Sequence, residues 1–268
     1  GFRVDASAVL IKDAGHLTTY DTVFDTFFAL QEPSAEDGEP RYAEGDELGL
    51  VGTGLQPRRT TKLAVVGAGA VGSTMAYAAL MRGAARSVVL YDIDKAKVEA
   101  EALDLGHGIQ FMPMAEVVGS DDINVCADAD VVMVTAGAKQ QPGQTRLDLA
   151  ASTTSMLRSL MPALVETAPD ARFVMVTNPV DVVTYAAQKL TGLGTEQLFG
   201  SGTVLDSARL RALVSARCEV AIQNVHAYVV GEHGDSEIPL WSSASIGGVP
   251  VTDLVAADER DAMAAEVV

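Results

Sequence analysis

The sequence predicts an α/β fold in which a doubly wound parallel sheet is followed by a smaller α+β domain. Short apolar segments alternate with helix-forming segments between residues 61 and 201, which is typical of repeated strand-helix-strand units. A glycine-rich turn directly follows the first of these apolar segments. The 268 residues, 48% of them hydrophobic, are sufficient for about two domains with apolar cores.

Four apolar segments account for the predicted sheet. Residues 62–66 and 87–91 are expected to form buried parallel strands, and residues 129–136 and 172–177 are expected to join them. A helical pattern over residues 149–166 separates the last two strands. This alternation of strands and helices is typical of a doubly wound parallel sheet.

Composition divides the chain into three pieces, residues 1–60, 61–201 and 202–268. The first contains a stretch, residues 31–49, with seven acidic residues, one arginine and two prolines, which favours a linker or partial disorder. The third begins with a helical pattern over residues 206–216, followed by a predicted strand and a glycine-containing loop. We therefore expect an atypical N-terminal extension, a sheet domain and a smaller C-terminal domain.

The predicted strand over residues 225–230 leads into the loop that contains His233. Asp206 and Arg209 lie one helical turn apart on the preceding predicted helix. An imidazolium can donate a proton near neutral pH, a carboxylate can orient it, and a guanidinium can grip an anionic substrate. Together the three side chains have the properties needed to reduce the ketone of a carboxylic acid.

The glycine-rich turn over residues 67–72 reads GxGxxG and lies between a predicted strand and a predicted helix. Gly67 permits the tight turn, Gly69 lets the backbone approach a pyrophosphate, and Gly72 lets the helix pack closely. Asp92 ends the next predicted strand, where a carboxylate accepts hydrogen bonds from ribose hydroxyls and repels a 2′-phosphate. The sequence therefore predicts a Rossmann-type domain that binds NAD rather than NADP.

The charge balance excludes several other classes of function. The chain has 19 basic and 36 acidic residues, and its formal charge is −17. This charge argues against binding to nucleic acids or to anionic membranes. The apolar segments are as short as strands, and no signal peptide or transmembrane segment is expected.

The cysteines and histidines show no metal-binding spacing, so no metal site is predicted. The two cysteines, Cys126 and Cys218, are expected to be reduced, which fits a cytoplasmic protein. The histidines are widely separated, at His16, His107, His226 and His233.

Residues 62–251 resemble the lactate and malate dehydrogenase family. The motifs that carry the resemblance occur in the family's order: residues 67–72, Asp92, residues 104–108, residues 135–138, Arg146, residues 177–179, residues 206–209 and residues 231–235. The resemblance implies an NAD-dependent enzyme that interconverts a 2-oxo acid and an L-2-hydroxy acid. In it, His233 is the proton donor and acceptor, Asp206 orients His233, and Arg209 binds the substrate carboxylate.

The resemblance also assigns residues outside this trio. It places Arg146 on a closing loop, where its guanidinium would polarise the substrate carbonyl and help to exclude water. It places Asn178 near both the carbonyl and the nicotinamide, and it places Thr135 and Gly137 beside the cofactor. The polar composition of residues 139–146, with one proline and one glycine, is typical of a mobile loop.

Gln140 bears on the choice of substrate. It occupies the loop position at which malate dehydrogenases carry an arginine that pairs with a second substrate carboxylate. A neutral side chain cannot compensate the second charge of oxaloacetate in a closed pocket, whereas pyruvate brings only a methyl group. Pyruvate and L-lactate are therefore the predicted substrates, although the adjacent Gln141 leaves the register open by one residue.

Arg211 and His226 match the family positions of an anion site between subunits. The resemblance implies a fructose 1,6-bisphosphate effector at this pair and a homotetrameric assembly. The alternative is that both residues are ordinary surface or interface cations.

Both ends of the chain depart from the family pattern. Residues 1–60 are foreign to the family, and residues 1–6 are similar to a nucleophile strand of α-amylase-type glycosidases. Family members continue beyond Val268, so the C-terminal catalytic domain is expected to be incomplete. The alternatives are a malate or other 2-hydroxy-acid dehydrogenase, an inactive cofactor-binding fragment and an NAD-dependent glycosidase. The last would need metal ligands.

Overall fold

The computed structural model describes residues 61–137 and 146–267. These residues fall into two compact units. The first unit contains residues 61–137 and 158–174, and the second contains residues 146–157 and 175–267. The N-terminal extension and the segment that contains Gln140 lie outside the described residues.

The first unit is built from parallel strands and the helices that connect them. Its elements are β1 (Lys62–Val66), α1 (Ala70–Arg82), β2 (Ser87–Tyr91), α2 (Lys95–Gly108), β3 (Glu116–Ser120) and β4 (Val131–Val134), followed by part of α3 (Arg146–Thr167) and most of β5 (Arg172–Met175). β1 pairs in parallel with β2 and β4, in a register that places Lys62 opposite Ser87 and Leu63 opposite Val131.

Burial explains why these segments are continuous apolar runs. Val65 and Val132 are fully buried at the centre of the strands, as are Leu90 on β2 and Phe173 on β5. A strand covered on both faces has no position at which a polar side chain would reach water. The period-2 alternation of a half-exposed strand is therefore absent from β1 and β4.

The large sheet has the strand order β3-β2-β1-β4-β5-β6, in which β6 is Leu198–Gly200. The order reverses direction at β1, because β2 and β3 lie on one side of it and β4, β5 and β6 lie on the other. This is the doubly wound arrangement, and nucleotides bind where the order reverses. The predicted Rossmann-type fold is confirmed.

The second unit contains further helices and several short antiparallel strands. Its remaining elements are α4 (Val180–Thr191), α5 (Val204–Cys218), β7 (Val225–His226), β8 (Val229–Val230), β9 (Ile238–Pro239), β10 (Ser245–Ile246), β11 (Val249–Pro250), α6 (Val251–Leu254) and α7 (Ala257–Val267). Its apolar core includes Leu210 and Val214 of α5 together with Val225, Val251 and Met263. α5 is thus the central helix of this unit.

The single strand predicted over residues 225–230 is wrong in detail, since two short strands occupy this segment. β7 pairs with β10, whereas β8 pairs with β9 in a separate sheet. Two side chains bind the backbone here. Thr203, which precedes α5, donates to the Val229 carbonyl at 2.6 Å, and Arg211 Nε on α5 donates to the Ala227 carbonyl at 2.8 Å. These side chains take backbone groups that a continuous ladder would have used.

The predicted helices exist but are longer than expected. The helix expected over residues 149–166 is α3, and the helix expected over residues 206–216 is α5. The backbone of Arg146 begins α3 instead of ending the predicted loop, and its side chain lies outside the description. Within residues 61–137 and 146–267, no helix combines the length and the apolar character that a membrane crossing requires.

Candidate active site

The glycine loop connects β1 to α1 in the first unit. Gly67 has a φ of +101°, which disfavours any residue with a side chain. A Cβ on Gly72 would collide with the carbonyl oxygen of Gly67, so the helix can approach the loop only without one. A Cβ on Gly69 would face open space, with Lys97 Nζ as the nearest atom at 4.0 Å. The loop is therefore tight at Gly67 and Gly72 and accessible at Gly69.

Asp92 follows β2 and is bound to this loop. Its Oδ2 accepts a hydrogen bond from the Ala68 backbone N–H at 2.8 Å, and its Oδ1 accepts one from the Asp94 N–H at 3.0 Å. Lys97 Nζ lies 3.6 Å from Oδ2. Each carboxylate oxygen accepts more than one hydrogen bond, so Asp92 retains capacity for ribose hydroxyls. Sequence reasoning missed Lys97, because a lysine in the first turn of α2 carries no distinctive spacing.

Thr135 and Gly137 follow β4 in the same unit. Thr135 Oγ1 lies 3.0 Å from the Val66 carbonyl oxygen and 2.9 Å from the Gly67 carbonyl oxygen, and its hydroxyl can donate to either of them. The Thr135 hydroxyl thus links the end of β4 to the start of the glycine loop. Gly137 is exposed, two residues further on, and it is the last residue described before the gap.

The second unit brings Asp206 and His233 together. His233 Nδ1 lies 2.7 Å from Asp206 Oδ2, and the Asp206 side chain is only 1% exposed. The His233 side chain is 24% exposed, so one edge of the ring remains accessible. Because the carboxylate at Nδ1 can only accept a hydrogen bond, Nδ1 is the ring nitrogen that donates to it. Nε2 is then the ring atom through which a proton can be given to a bound molecule.

The loop that carries His233 is anchored at its backbone. The His233 N–H donates to Asp181 Oδ2 at 2.9 Å, and Asp181 lies in the first turn of α4. Asn178 precedes this helix, and the Asn178–Pro179 peptide bond is cis. Asp181 is a second residue that sequence reasoning missed, because a contact across 52 residues has no periodic signature.

Arg209 shares the Asp206 carboxylate. Its Nη1 lies 3.4 Å from Asp206 Oδ1 and donates to the Val267 carbonyl at 3.2 Å. The Arg209 side chain is 46% exposed, so it remains accessible to solvent although it contacts Asp206 and the Val267 carbonyl. A guanidinium carries five N–H groups, and both of these contacts use the same nitrogen.

A third carboxyl group adjoins the pair. Ligand-type atoms of Asp206, His233 and Glu237 all lie within 4.8 Å of one another. Burial raises the pKa of Glu237, and the neighbouring Asp206 carboxylate raises it further. The spacing of histidines and cysteines does not reveal this cluster, because two of its three members are carboxylates. That the chain has no resident metal stays a prediction.

Arg211 and His226, the predicted effector pair, lie on neighbouring elements of the second unit. Arg211 Nε donates to the carbonyl of Ala227, the residue after His226, and the guanidinium lies 4.6 Å from the centre of the Tyr228 ring. His226 is exposed on β7.

Comparison with known proteins decides the family. Residues 61–200 match the model of the lactate/malate dehydrogenase NAD binding domain, and residues 203–267 match that of the alpha/beta C-terminal domain. The chain belongs to the lactate/malate dehydrogenase family. The family resemblance that the motifs indicated is confirmed.

Relatives that align with this chain include L-lactate dehydrogenases. An L-lactate dehydrogenase of Bifidobacterium animalis subsp. lactis (strain AD011) is 55% identical over 210 residues, which are 78% of this chain and 66% of that protein. One of Synechococcus sp. (strain JA-3-3Ab) is 49% identical over 193 residues, 72% of this chain and 63% of the relative. The chain thus spans slightly less than two thirds of the length of these relatives.

Solved structures show the same similarity. A lactate dehydrogenase from a Medee basin deep-sea metagenome library superposes with a TM-score of 0.74 at 38% identity, covering 78% of this chain and 68% of that one. The minor L-lactate dehydrogenase of Enterococcus mundtii gives a TM-score of 0.73 at 37% identity, with the same coverage.

Proposed function

We propose that this family member is an NAD-dependent L-lactate dehydrogenase, which interconverts pyruvate and L-lactate. The observation that carries the proposal is the 2.7 Å contact between His233 Nδ1 and the buried Asp206 carboxylate. The pair holds a proton donor in one tautomer and leaves one ring edge accessible, as ketone reduction requires. The names of the relatives support lactate dehydrogenase within the family.

Each residue of the site has its own role in the proposed reaction. His233 gives its Nε2 proton to the carbonyl oxygen of pyruvate during reduction and takes it back from the hydroxyl of lactate during oxidation. Asp206 stabilises the imidazolium before the transfer and keeps the ring oriented after it. Arg209 grips the substrate carboxylate, which its planar guanidinium can bind with two parallel hydrogen bonds. Arg146 and Asn178 are assigned to the substrate carbonyl by the family resemblance.

The glycine loop and Asp92 suit NAD. The open space at Gly69 admits a pyrophosphate close to the backbone, at the N-terminus of α1, where the amide groups face an anion. Asp92 offers a carboxylate for the ribose hydroxyls, and Lys97 beside it adds a cation on the same side of the loop. NADH, when bound, supplies the hydride equivalent to the carbonyl carbon. Thr135 holds the loop in shape, and Gly137 is proposed to line the cofactor.

Further parts of the proposal rest on the family resemblance. Gln140 favours pyruvate over oxaloacetate because it brings no cation to a second carboxylate. Fructose 1,6-bisphosphate is a proposed effector at Arg211 and His226, and a homotetramer is the proposed assembly. A cytoplasmic location fits the reduced cysteines.

Steady-state NADH-oxidation assays of the purified protein with pyruvate and with oxaloacetate test the proposed substrate. We expect a much higher kcat/KM for pyruvate. Gln140→Arg should move the ratio of the two kcat/KM values toward oxaloacetate by about a hundredfold, because the guanidinium pairs with the second carboxylate.

Gln141→Arg is the matched control, since it adds the same charge one residue away. It should shift the ratio less than Gln140→Arg. A parent protein that prefers oxaloacetate would contradict the lactate dehydrogenase assignment and favour a malate dehydrogenase. A protein that binds NADH and reduces neither acid would favour the inactive cofactor-binding fragment.

A further inference from the structure

Glu237 lies between the His233 loop and β9, and its side chain is partly buried. Its Oε1 is buried and has no hydrogen-bond partner within the described part of the chain. Its Oε2 accepts a long hydrogen bond from the Gly234 N–H at 3.4 Å. A buried carboxylate oxygen without a donor is costly, so the carboxyl group is poorly satisfied as an anion.

The charged groups around Glu237 come from three elements. Asp206 on α5 and His233 on the loop both have polar atoms within 4.8 Å of its carboxyl group. Beyond them, Arg209 contacts the other oxygen of Asp206, and Asp181 on α4 accepts from the His233 backbone. Glu237 therefore faces one carboxylate that disfavours its charge and one imidazole that favours it when protonated.

We propose that Glu237 is a positioning residue whose charge sets the pH range over which His233 remains a proton donor. The proposal deepens the proposed function, because it assigns a residue to the regulation of the same proton-transfer pair. Glu237 acts through Asp206 and His233 and is not assigned to touch the substrate.

Glu237 has opposite effects in its two protonation states. When neutral, its hydroxyl can donate a hydrogen bond to Asp206, which weakens the attraction of that carboxylate for the imidazolium. When ionised, it adds a second negative charge beside the ring and stabilises the imidazolium. Burial and Asp206 together raise the pKa of Glu237, so this carboxyl loses its proton at a higher pH than an exposed glutamate would.

The sign of the linkage follows from these two states. As pH rises, ionisation of Glu237 favours retention of the proton on His233, so the protonated donor persists to higher pH. In a variant whose residue 237 is neutral at every pH, no negative charge at this position stabilises protonated His233. His233 should then lose its proton at a lower pH in that variant.

The test is an NMR titration of the histidine ring signals in the parent protein and in Glu237→Gln, with a chelator present. The chain contains four histidines, and the His233 signals are assigned by their loss in His233→Asn. We expect the titration midpoint of His233 to be about half to one pH unit lower in Glu237→Gln. Glu232→Gln is the matched control, because this exposed side chain of the same loop bonds Ser236 Oγ at 2.9 Å. It should leave the midpoint almost unchanged.

Glu237→Asp separates the effect of charge from that of packing. It retains the carboxylate, so its midpoint should lie closer to the parent value than that of Glu237→Gln. Equal midpoints in the parent and Glu237→Gln, or equal shifts in Glu232→Gln and Glu237→Gln, would overturn the proposal. If Glu237→Gln does not fold, Glu237→Asp is compared with Glu232→Gln instead. A His233 midpoint that is lower in Glu237→Asp than in Glu232→Gln would then overturn the proposal.

The titration does not require turnover, so its result is independent of the proposed function. In the parent enzyme, the alkaline decline of kcat/KM for pyruvate should follow the same midpoint and move with it in Glu237→Gln. A shifted midpoint in a protein that does not reduce pyruvate would support the role of Glu237 and reject the dehydrogenase proposal. An active protein with an unshifted midpoint would do the reverse.

Discussion

At the residue scale, Gly69 and Gly72 belong to one motif but have opposite surroundings. A Cβ on Gly69 would meet nothing closer than Lys97 Nζ at 4.0 Å, and the φ of Gly69 is −81°, which any residue tolerates. A Cβ on Gly72 would collide with the Gly67 carbonyl oxygen. Packing therefore explains the glycine at position 72, and we propose that the glycine at position 69 leaves room for the cofactor.

This contrast predicts different outcomes for two alanine variants. Gly72→Ala should destabilise the protein by about 1–3 kcal/mol, because the loop or α1 must move to accommodate the methyl group. Gly69→Ala should leave the melting temperature nearly unchanged but weaken NADH binding, because its methyl group stands where the pyrophosphate approaches. Thermal melting and NADH fluorescence titration measure the two effects. A large loss of stability in Gly69→Ala would reject the division of roles.

Single residues also show what the sequence could predict about the site. Asp206, Arg209 and His233 were predicted as a group, and the structure brings their side chains into contact. Glu237 and Asp181 were not predicted, although both lie at the same cluster. Their contacts depend on how a loop folds back onto two helices, and no helical or strand period encodes that geometry.

At the scale of elements, α5 and α7 are joined by a two-point ion pair. Arg217 Nε lies 2.6 Å from Glu259 Oε1, and Arg217 Nη2 lies 3.0 Å from Glu259 Oε2. Both side chains are substantially exposed, so the pair contributes modestly and depends on salt. The hydrogen bond from Arg217 holds the pKa of Glu259 below its usual value of 4.5.

The lowered pKa predicts a pH-dependent effect of Glu259→Gln. The ionised carboxylate stabilises the fold above the unfolded-state pKa, and this contribution is lost as pH falls through the lower folded-state pKa. Glu259→Gln should therefore lower the melting temperature by roughly 1–3 °C at pH 7. The difference should shrink as pH falls below about 4.5.

Melting curves of the parent and the variant at several pH values check this prediction. Glu266→Gln, on the exposed side of the same helix, is the control for the loss of one negative charge. An equal effect in both variants would show that net charge, and not the link between α5 and α7, is responsible.

The elements differ in how far local sequence determined them. β1 and β2 have the predicted bounds, because each is a short, almost fully buried apolar run that is followed at once by a glycine or an aspartate. The segment 225–230 was expected to be one strand and forms β7 and β8 instead, because side chains of Thr203 and Arg211 bind its backbone. These contacts come from another part of the chain, so the strand propensity of the segment itself cannot predict them.

At the scale of the whole molecule, two features describe the protein: a Rossmann-type sheet and a net charge of −17. The strand order and the family matches make residues 61–200 an NAD binding domain of lactate/malate dehydrogenase type. The charge favours solubility and repels polyanions. Neither feature identifies the substrate, so the proposed activity depends on the second unit and its Asp206–His233 pair.

The most direct test of the proposed role of His233 compares the parent protein with His233→Asn in two measurements, NADH binding by fluorescence and pyruvate-dependent NADH oxidation. Asparagine keeps the polarity of the site but cannot donate a proton as imidazolium does. We expect the affinity for NADH to be nearly unchanged and kcat for pyruvate to fall by about 10² to 10⁴. A His233→Asn variant that reduces pyruvate at the parent rate would contradict this role.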